Sequence, residues 1–239
     1  MQQIGLILFL VFAWTELSAS VTAKGGASQQ MVNPKSTSVK AASHSNEEKK
    51  ILGLLEALKT FETDFFQTTF NKDGRKIQEV KGIIKSKRPG SFYWQAYQPY
   101  PQLLVTDGKT IWQYDEDLQQ VTLKDYKTQR QQANLVKIFE DPKTLLENYR
   151  LTGETHGKKN VTYHLTGIKE GLAVKTLAFS FNEKKLSSIE FIDALGQKTI
   201  MAFSKFQIKN TIADKNFRFT IPKSADVIDD RPVSIQNTR

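Results

Sequence analysis

The sequence predicts a mainly β fold: a single open, incompletely closed antiparallel β-barrel of about ten or eleven strands, covered by short helices. Three observations carry that expectation. Apolar residues recur at helical intervals only near residues 51–61 and again near 135–146. Elsewhere they alternate with polar ones, the period of a strand with one buried face. Turn signals such as Lys72-Asp73-Gly74, Pro89-Gly90 and Asp107-Gly108 separate the alternating runs at hairpin spacing. An antiparallel sheet of that size must curl, and its concave face needs a cover, which the helices are placed to supply.

The elements follow in order. Residues 4–14 read IGLILFLVFAW, the length of a signal-peptide core and short of the ~20 residues that span a bilayer. Small residues follow, so residues 1–23 are read as a signal peptide cleaved after Ala23, with Ser20 the alternative. An uncleaved anchor is the bland alternative. Residues 24–44 are rich in Ser, Gly and Lys and are expected to form a disordered leader. Residues 45–239 form one domain. Ser45 and Glu48 have capping-box spacing. Ile51, Leu54, Leu55, Leu58 and Phe61 then mark an amphipathic helix of about four turns.

After it the period changes to two. Phe66, Thr68 and Phe70 share one face; Val80, Gly82 and Ile84 share another. Phe92, Trp94 and Ala96 fall together, opposite Tyr93 and Tyr97. Residues 103–106, 111–114 and 120–123 are short strands. Leu135, Ile138 and Phe139 return to helical spacing. Asp141-Pro142 then reads as an N-cap followed by Pro at the first helical position, opening a helix with Leu145 and Leu146. Strands resume with Val161, Tyr163 and Leu165, with Leu177, Phe179 and Phe181, with Ile189 and Phe191, and with residues 200–208. Phe217, Phe219 and Ile221 read as the last strand.

Composition narrows the function. The 239 residues carry Lys+Arg 34 against Asp+Glu 25, 39% hydrophobic residues and no cysteine. That balance excludes wholesale disorder, collagen and a multi-span membrane protein. The missing cysteine excludes disulfides, thiolate metal sites, cysteine nucleophiles and lipid attachment through an N-terminal cysteine. His44, His156 and His164 are scattered, so no metal or other cofactor is expected. Asp115-Glu116-Asp117 reads as a solvated turn rather than a catalytic pair. No phosphate loop or nucleophile elbow appears, so no enzyme is expected. The formal charge of +9 is spread along the chain rather than clustered, which argues against nucleic acid.

One set of residues is distinctive. It begins with Lys87-Arg88-Pro89-Gly90-Ser91-Phe92-Tyr93-Trp94 and Pro99. It continues through Leu104-Val105-Thr106-Asp107-Gly108-Lys109-Thr110-Ile111-Trp112-Gln113-Tyr114-Asp115 and Gln120-Val121-Thr122. This run resembles the periplasmic outer-membrane lipoprotein carrier family, LolA. Pro142, Leu145 and Leu146, the stretch 193–199 and Phe217-Arg218-Phe219 extend the resemblance over roughly residues 50 to 230. The long leader and the lone Pro222 depart from the family pattern.

The resemblance implies an open barrel capped by helices and a non-enzymatic activity in the periplasm. Such a chaperone receives lipoproteins from an inner-membrane ABC-type releasing complex, shelters their acyl chains and delivers them to an outer-membrane receptor. It implies a monomer. It also implies that Arg88, followed by Pro89, latches a lid built around Leu54, Leu55, Leu58, Leu135, Ile138, Phe139, Pro142, Leu145 and Leu146. The strand patterns offer Phe66, Phe70, Val80, Ile84, Phe92, Trp94, Phe179 and Phe181 as the acyl-chain cavity, with plain core packing the alternative for each. Two rival functions remain at this point: an open-barrel carrier or sensor for another lipid or glycolipid, and an enzyme on the same scaffold.

Overall fold

The computed structural model describes residues 45–130 and 135–232. The expected signal peptide and leader lie outside the described residues. Helix α1 (Asn46–Ala57) opens on the expected capping box: the Glu48 N–H donates to Ser45 Oγ at 3.2 Å, and the Ser45 N–H donates to Glu48 Oε2 at 2.8 Å. The helix stops at Ala57 rather than running on to Phe61. Thr60 and Thr63 are β-branched, and from Phe61 the burial alternates. Phe61 therefore belongs to the first strand, a correction to the sequence reading.

The strands are β1 (Thr60–Phe70), β2 (Lys76–Lys87), β3 (Ser91–Gln98), β4 (Gln102–Asp107), β5 (Thr110–Asp115) and β6 (Gln120–Asp125). Three short helices follow, α2 (Tyr126–Arg130), α3 (Leu135–Glu140) and α4 (Lys143–Asn148). Strands β7 (Tyr149–His156), β8 (Asn160–Gly167), β9 (Val174–Asn182), β10 (Lys185–Asp193) and β11 (Lys198–Ile208) complete a second meander. A 3-10 turn at Asp214–Phe217 leads to β12 (Asp226–Asp229). The sheet order is β12-β6-β5-β4-β3-β2-β1-β11-β10-β9-β8-β7. Since β12 and β7 are its two ends, the barrel is open, as expected.

Two details differ from the sequence reading. The sheet has 12 strands. Two strands lie beyond expectation, β7 and β12; the latter pairs with β6 in parallel, Val227 opposite Val121. Its four residues are all exposed and show no alternation to read. The run Phe217-Arg218-Phe219 is not a strand. Phe217 closes the 3-10 turn, and its buried ring points into the outer face of the sheet instead of joining a ladder.

The two faces of the sheet have separate cores. On the concave face Val80, Ile84, Phe92, Trp94, Phe179 and Phe181 pack in one cluster with Ile51, Leu55 and Leu58 of the α1 region, Ile138 of α3 and Leu145 of α4. On the convex face Val105, Val121, Leu123, Ile212 and Phe217 are buried outside that cluster. Residues 209–225 cross this face as a strap. Lys85 Nζ donates to Asn216 Oδ1 at 3.1 Å, Lys87 pairs with Asp214, and the Tyr114 and Phe219 rings lie 5.5 Å apart.

Candidate functional site

The concave face is an apolar trough, and strand parity decides what lines it. In β2 and β3 the inward residues are Val80, Ile84, Phe92 and Trp94, and in β9 they are Phe179 and Phe181; all six are buried. In β1 the inward set is Phe61, Thr63, Phe65, Gln67 and Thr69. Phe66 and Phe70 are thus on the opposite face, which corrects the sequence reading. Phe66 is 37% exposed on the convex side, where Lys81 Nζ sits 5.6 Å from its ring. The physical reason is that three of the five inward β1 residues are polar, so the outward pair of phenylalanines carried the stronger hydrophobic signal.

The residue missed in their place is Phe65. Its ring stacks on Trp94 at 5.6 Å, with 20° between the planes. It stands opposite Gly82 on β2. A Cβ at Gly82 would fall 1.9 Å from the Gln95 carbonyl oxygen and 2.6 Å from the Phe65 ring. The glycine is therefore what admits the ring, and a glycine inside an alternating strand was the available signal. Phe61, at helical spacing from Leu58, is a β1 residue as well. It stacks on Phe206 at 5.0 Å and meets Phe139 of α3 at 5.8 Å, joining one end of the trough to its cover.

The cover is made from the expected segments. Leu55, Leu58, Ile138, Pro142 and Leu145 are buried, and Leu54, Leu146 and Phe139 are partly buried against the cluster. Leu135 opens α3. Pro142 stands just before the first residue of α4 rather than inside it. Two polar atoms on the concave face, Gln67 Oε1 and Trp94 Nε1, are buried with no hydrogen-bond partner among the described residues.

Arg88 follows β2 and reaches the cover directly. Its Nη2 donates to the carbonyl oxygens of Leu55 at 2.7 Å and Glu56 at 3.2 Å, the end of α1. Helix C-terminal carbonyls lack intrahelical partners and carry partial negative charge, so a guanidinium suits them. Burial draws the Arg88 pKa below its ordinary value, and Glu140, Glu56 and Asp141 oppose that shift. The guanidinium stays charged at neutral pH. Next along the chain, the Gly90 N–H donates to both Glu140 carboxylate oxygens at 3.0 Å.

The acidic turn and the two described histidines have structural contacts. Asp115 accepts from the Leu118 N–H at 3.0 Å and from Gln102 Nε2 at 2.9 Å, which makes it a turn residue. His156 pairs with Glu154 at the surface, and His164 contacts Thr155 Oγ1 at 3.2 Å. Among the described residues no group of three or more His, Asp or Glu converges as a metal site would. A shallow groove beside Thr152, His164, Thr176 and Glu190 lies apart from the apolar trough.

Comparison with known proteins agrees with this layout. Residues 56–220 match the model of the family described as "Outer membrane lipoprotein carrier protein LolA". An outer-membrane lipoprotein carrier protein of Hahella chejuensis is 34% identical over 181 residues, covering 75% of this chain and 87% of the relative. One from Pseudomonas putida is 30% identical over 191 residues, covering 80% and 92%. Among solved structures, an uncharacterized conserved protein from Thermus thermophilus superposes with a TM-score of 0.51 at 17% identity. That superposition covers 77% of this chain and 99% of the other, and shows a shared fold.

Proposed function

This chain belongs to the outer-membrane lipoprotein carrier family LolA, and from that premise we propose that it is a soluble periplasmic chaperone for lipoproteins. The observation that carries this reading is the apolar trough covered by helices, with the end of α1 fastened by one guanidinium. Val80, Ile84, Phe92, Trp94, Phe179 and Phe181, joined by Phe65, take up the acyl chains once the cover moves. Gln67 and Trp94 offer polar atoms for the ester and amide groups of an acylated cysteine.

The energetics suit reversible loading. Burying Ile51, Leu55 and Leu58 stabilises the closed cover by ~1.5–3 kcal/mol each. Burying an acyl chain contributes ~0.8 kcal/mol per CH2. About six to eleven methylenes therefore match what the cover loses when it lifts. Closure of the cover therefore offsets part of the burial lost on release. The charge-assisted bonds from Arg88 add ~1.5–3 kcal/mol to the closed side. Arg88 acts as the latch, with Pro89 directing the chain away from it.

Residues 1–23 act as the export signal, and residues 24–44 as a leader to the carrier domain. The inward partner is an inner-membrane ABC-type releasing complex; the outward partner is an outer-membrane receptor. The carrier travels as a monomer without a cofactor, does no chemistry on its cargo and binds no nucleic acid.

The test is transfer. Purified carrier loaded with a radiolabelled lipoprotein is mixed with receptor, and passage of the label is followed. The carrier reading predicts a one-to-one soluble complex that empties to the receptor. Native mass spectrometry that finds a glycolipid or other lipid in place of acylated protein would instead favour the carrier-or-sensor alternative.

A further inference from the structure

The three residues Arg88, Pro89 and Gly90 touch both halves of the cover. The guanidinium side holds the end of α1. The backbone side holds α3 through Glu140, the last residue of that helix. Glu140 is badly placed by its own helix. A carboxylate at a helix C-terminus faces the negative end of the dipole, where a cation is preferred. What it gains there comes from the knot: a bifurcated bond from the Gly90 N–H, and the Arg88 charge, for which Glu140 is the foremost attractive carboxylate.

The donor is held in position by packing. Gly90 has φ of 78°, and a Cβ there would come within 2.7 Å of the Gly108 Cα at the tip of the β4–β5 hairpin. A side chain at residue 90 is therefore excluded twice. The bare amide sits against the hairpin and points at α3.

We propose that Glu140 is a second catch, coupling α3 to the latch that holds α1, so that the two halves of the cover release together. Glu140 is a positioning residue: it acts on the cover and touches no cargo. Two consequences follow from the geometry. Neutralising Glu140 removes the acceptor charge for Gly90 and the foremost counter-charge to Arg88, so α1 loosens although, among the described residues, Glu140 makes no hydrogen bond to it. Removing Arg88 leaves Glu140 with only the Gly90 N–H to offset its own helix dipole, so α3 loosens although, among the described residues, Arg88 makes no hydrogen bond to α3. Only the consequence for cargo rests on the carrier reading.

The test uses the whole mature chain and reads amide hydrogen exchange at Gly90, α1 and α3. Binding of a fluorescent long-chain fatty acid is measured in parallel. Glu140→Gln keeps the shape and one acceptor oxygen; Glu140→Lys reverses the charge. The proposal expects exchange to quicken at Gly90, α3 and α1 together, about tenfold for Gln and more for Lys. It also expects Glu140→Gln to add little to α1 exchange once Arg88→Leu is present.

Loosening confined to α3 would make Glu140 a local feature and overturn the proposal. Unchanged exchange at Gly90 would overturn it too, as would additive effects in the double variant. The two readings fail separately. Wild-type protein that ignores the fatty acid yet shows the coupled exchange contradicts the carrier reading alone. Normal fatty-acid binding with uncoupled helices contradicts the second catch alone.

Discussion

One sheet carries two covers, and they are fastened in different ways. The strap over the convex face is a continuation of the ladder it protects. Lys209 N–H donates to the Thr60 carbonyl oxygen at 2.9 Å, Asp226 N–H to that of Gln119 at 2.8 Å, and Asp230 N–H to that of Leu123 at 2.9 Å. Between these points lie the Lys87–Asp214 pair and the buried Ile212 and Phe217. On the concave face, among the described residues, the α1 backbone is tied to the barrel by two bonds from a single nitrogen of Arg88. Otherwise α1 rests on side-chain burial, which is non-directional. A ladder gives way cooperatively with the sheet. A greasy contact with one latch can exchange for another greasy contact. The difference separates a structural cover from a functional one.

Predictions can break that distinction. The largest effect is expected from Phe217→Ala under the strap. Removing a fully buried ring costs ~3–5 kcal/mol. The loss falls on global stability, seen as a lower denaturation midpoint, while fatty-acid affinity at a temperature where the variant is folded stays unchanged. Leu55→Ala removes an equally buried side chain on α1 and carries a transfer-plus-cavity cost of ~2–5 kcal/mol. There the cost falls on lid closure. Exchange within α1 quickens and the fatty acid binds tighter, with a smaller drop in midpoint than Phe217→Ala produces. Matching drops in midpoint, with no gain in binding, would erase the contrast.

Arg88→Leu comes next, at ~1.5–3 kcal/mol. It favours the open, loaded state, so loading persists while transfer to the receptor slows by about tenfold or more. Wild-type transfer rates would remove the latch. The smallest effect has the opposite sign. Gly53 lies in α1 with open space around its Cβ position. Gly53→Ala should stabilise the helix by ~0.5–1 kcal/mol, measured as slower exchange in α1.

The contrast also explains what could be read from the sequence. Alternation located the inward faces of β2, β3 and β9, because there the inward positions are mostly large and apolar. It misled in β1, where Thr63, Gln67 and Thr69 face inward and Phe66 and Phe70 face out. Two of these polar side chains serve the sheet itself, Thr63 donating to the Ser204 carbonyl oxygen and Thr69 pairing with Thr199, while Gln67 keeps an unpartnered oxygen. The strap was illegible for another reason. Its residues are held by partners far along the chain, such as Lys209 beside Thr60 and Asn216 beside Lys85, and no local period records such pairings. Arg88 was legible only through resemblance. Nothing in its neighbourhood announces that a guanidinium will reach the end of a helix more than 30 residues earlier.

The most direct test is to ask where a bound acyl tail lies. A lipopeptide with a diazirine at the end of its acyl chain would be loaded onto the mature protein and irradiated, and the labelled peptides mapped by mass spectrometry. The account predicts label on the concave residues Val80, Phe92, Trp94 and Phe179, increased by Arg88→Leu. Label concentrated on the convex aromatics Phe66 and Tyr97, or absent from the trough even when the latch is removed, would contradict it.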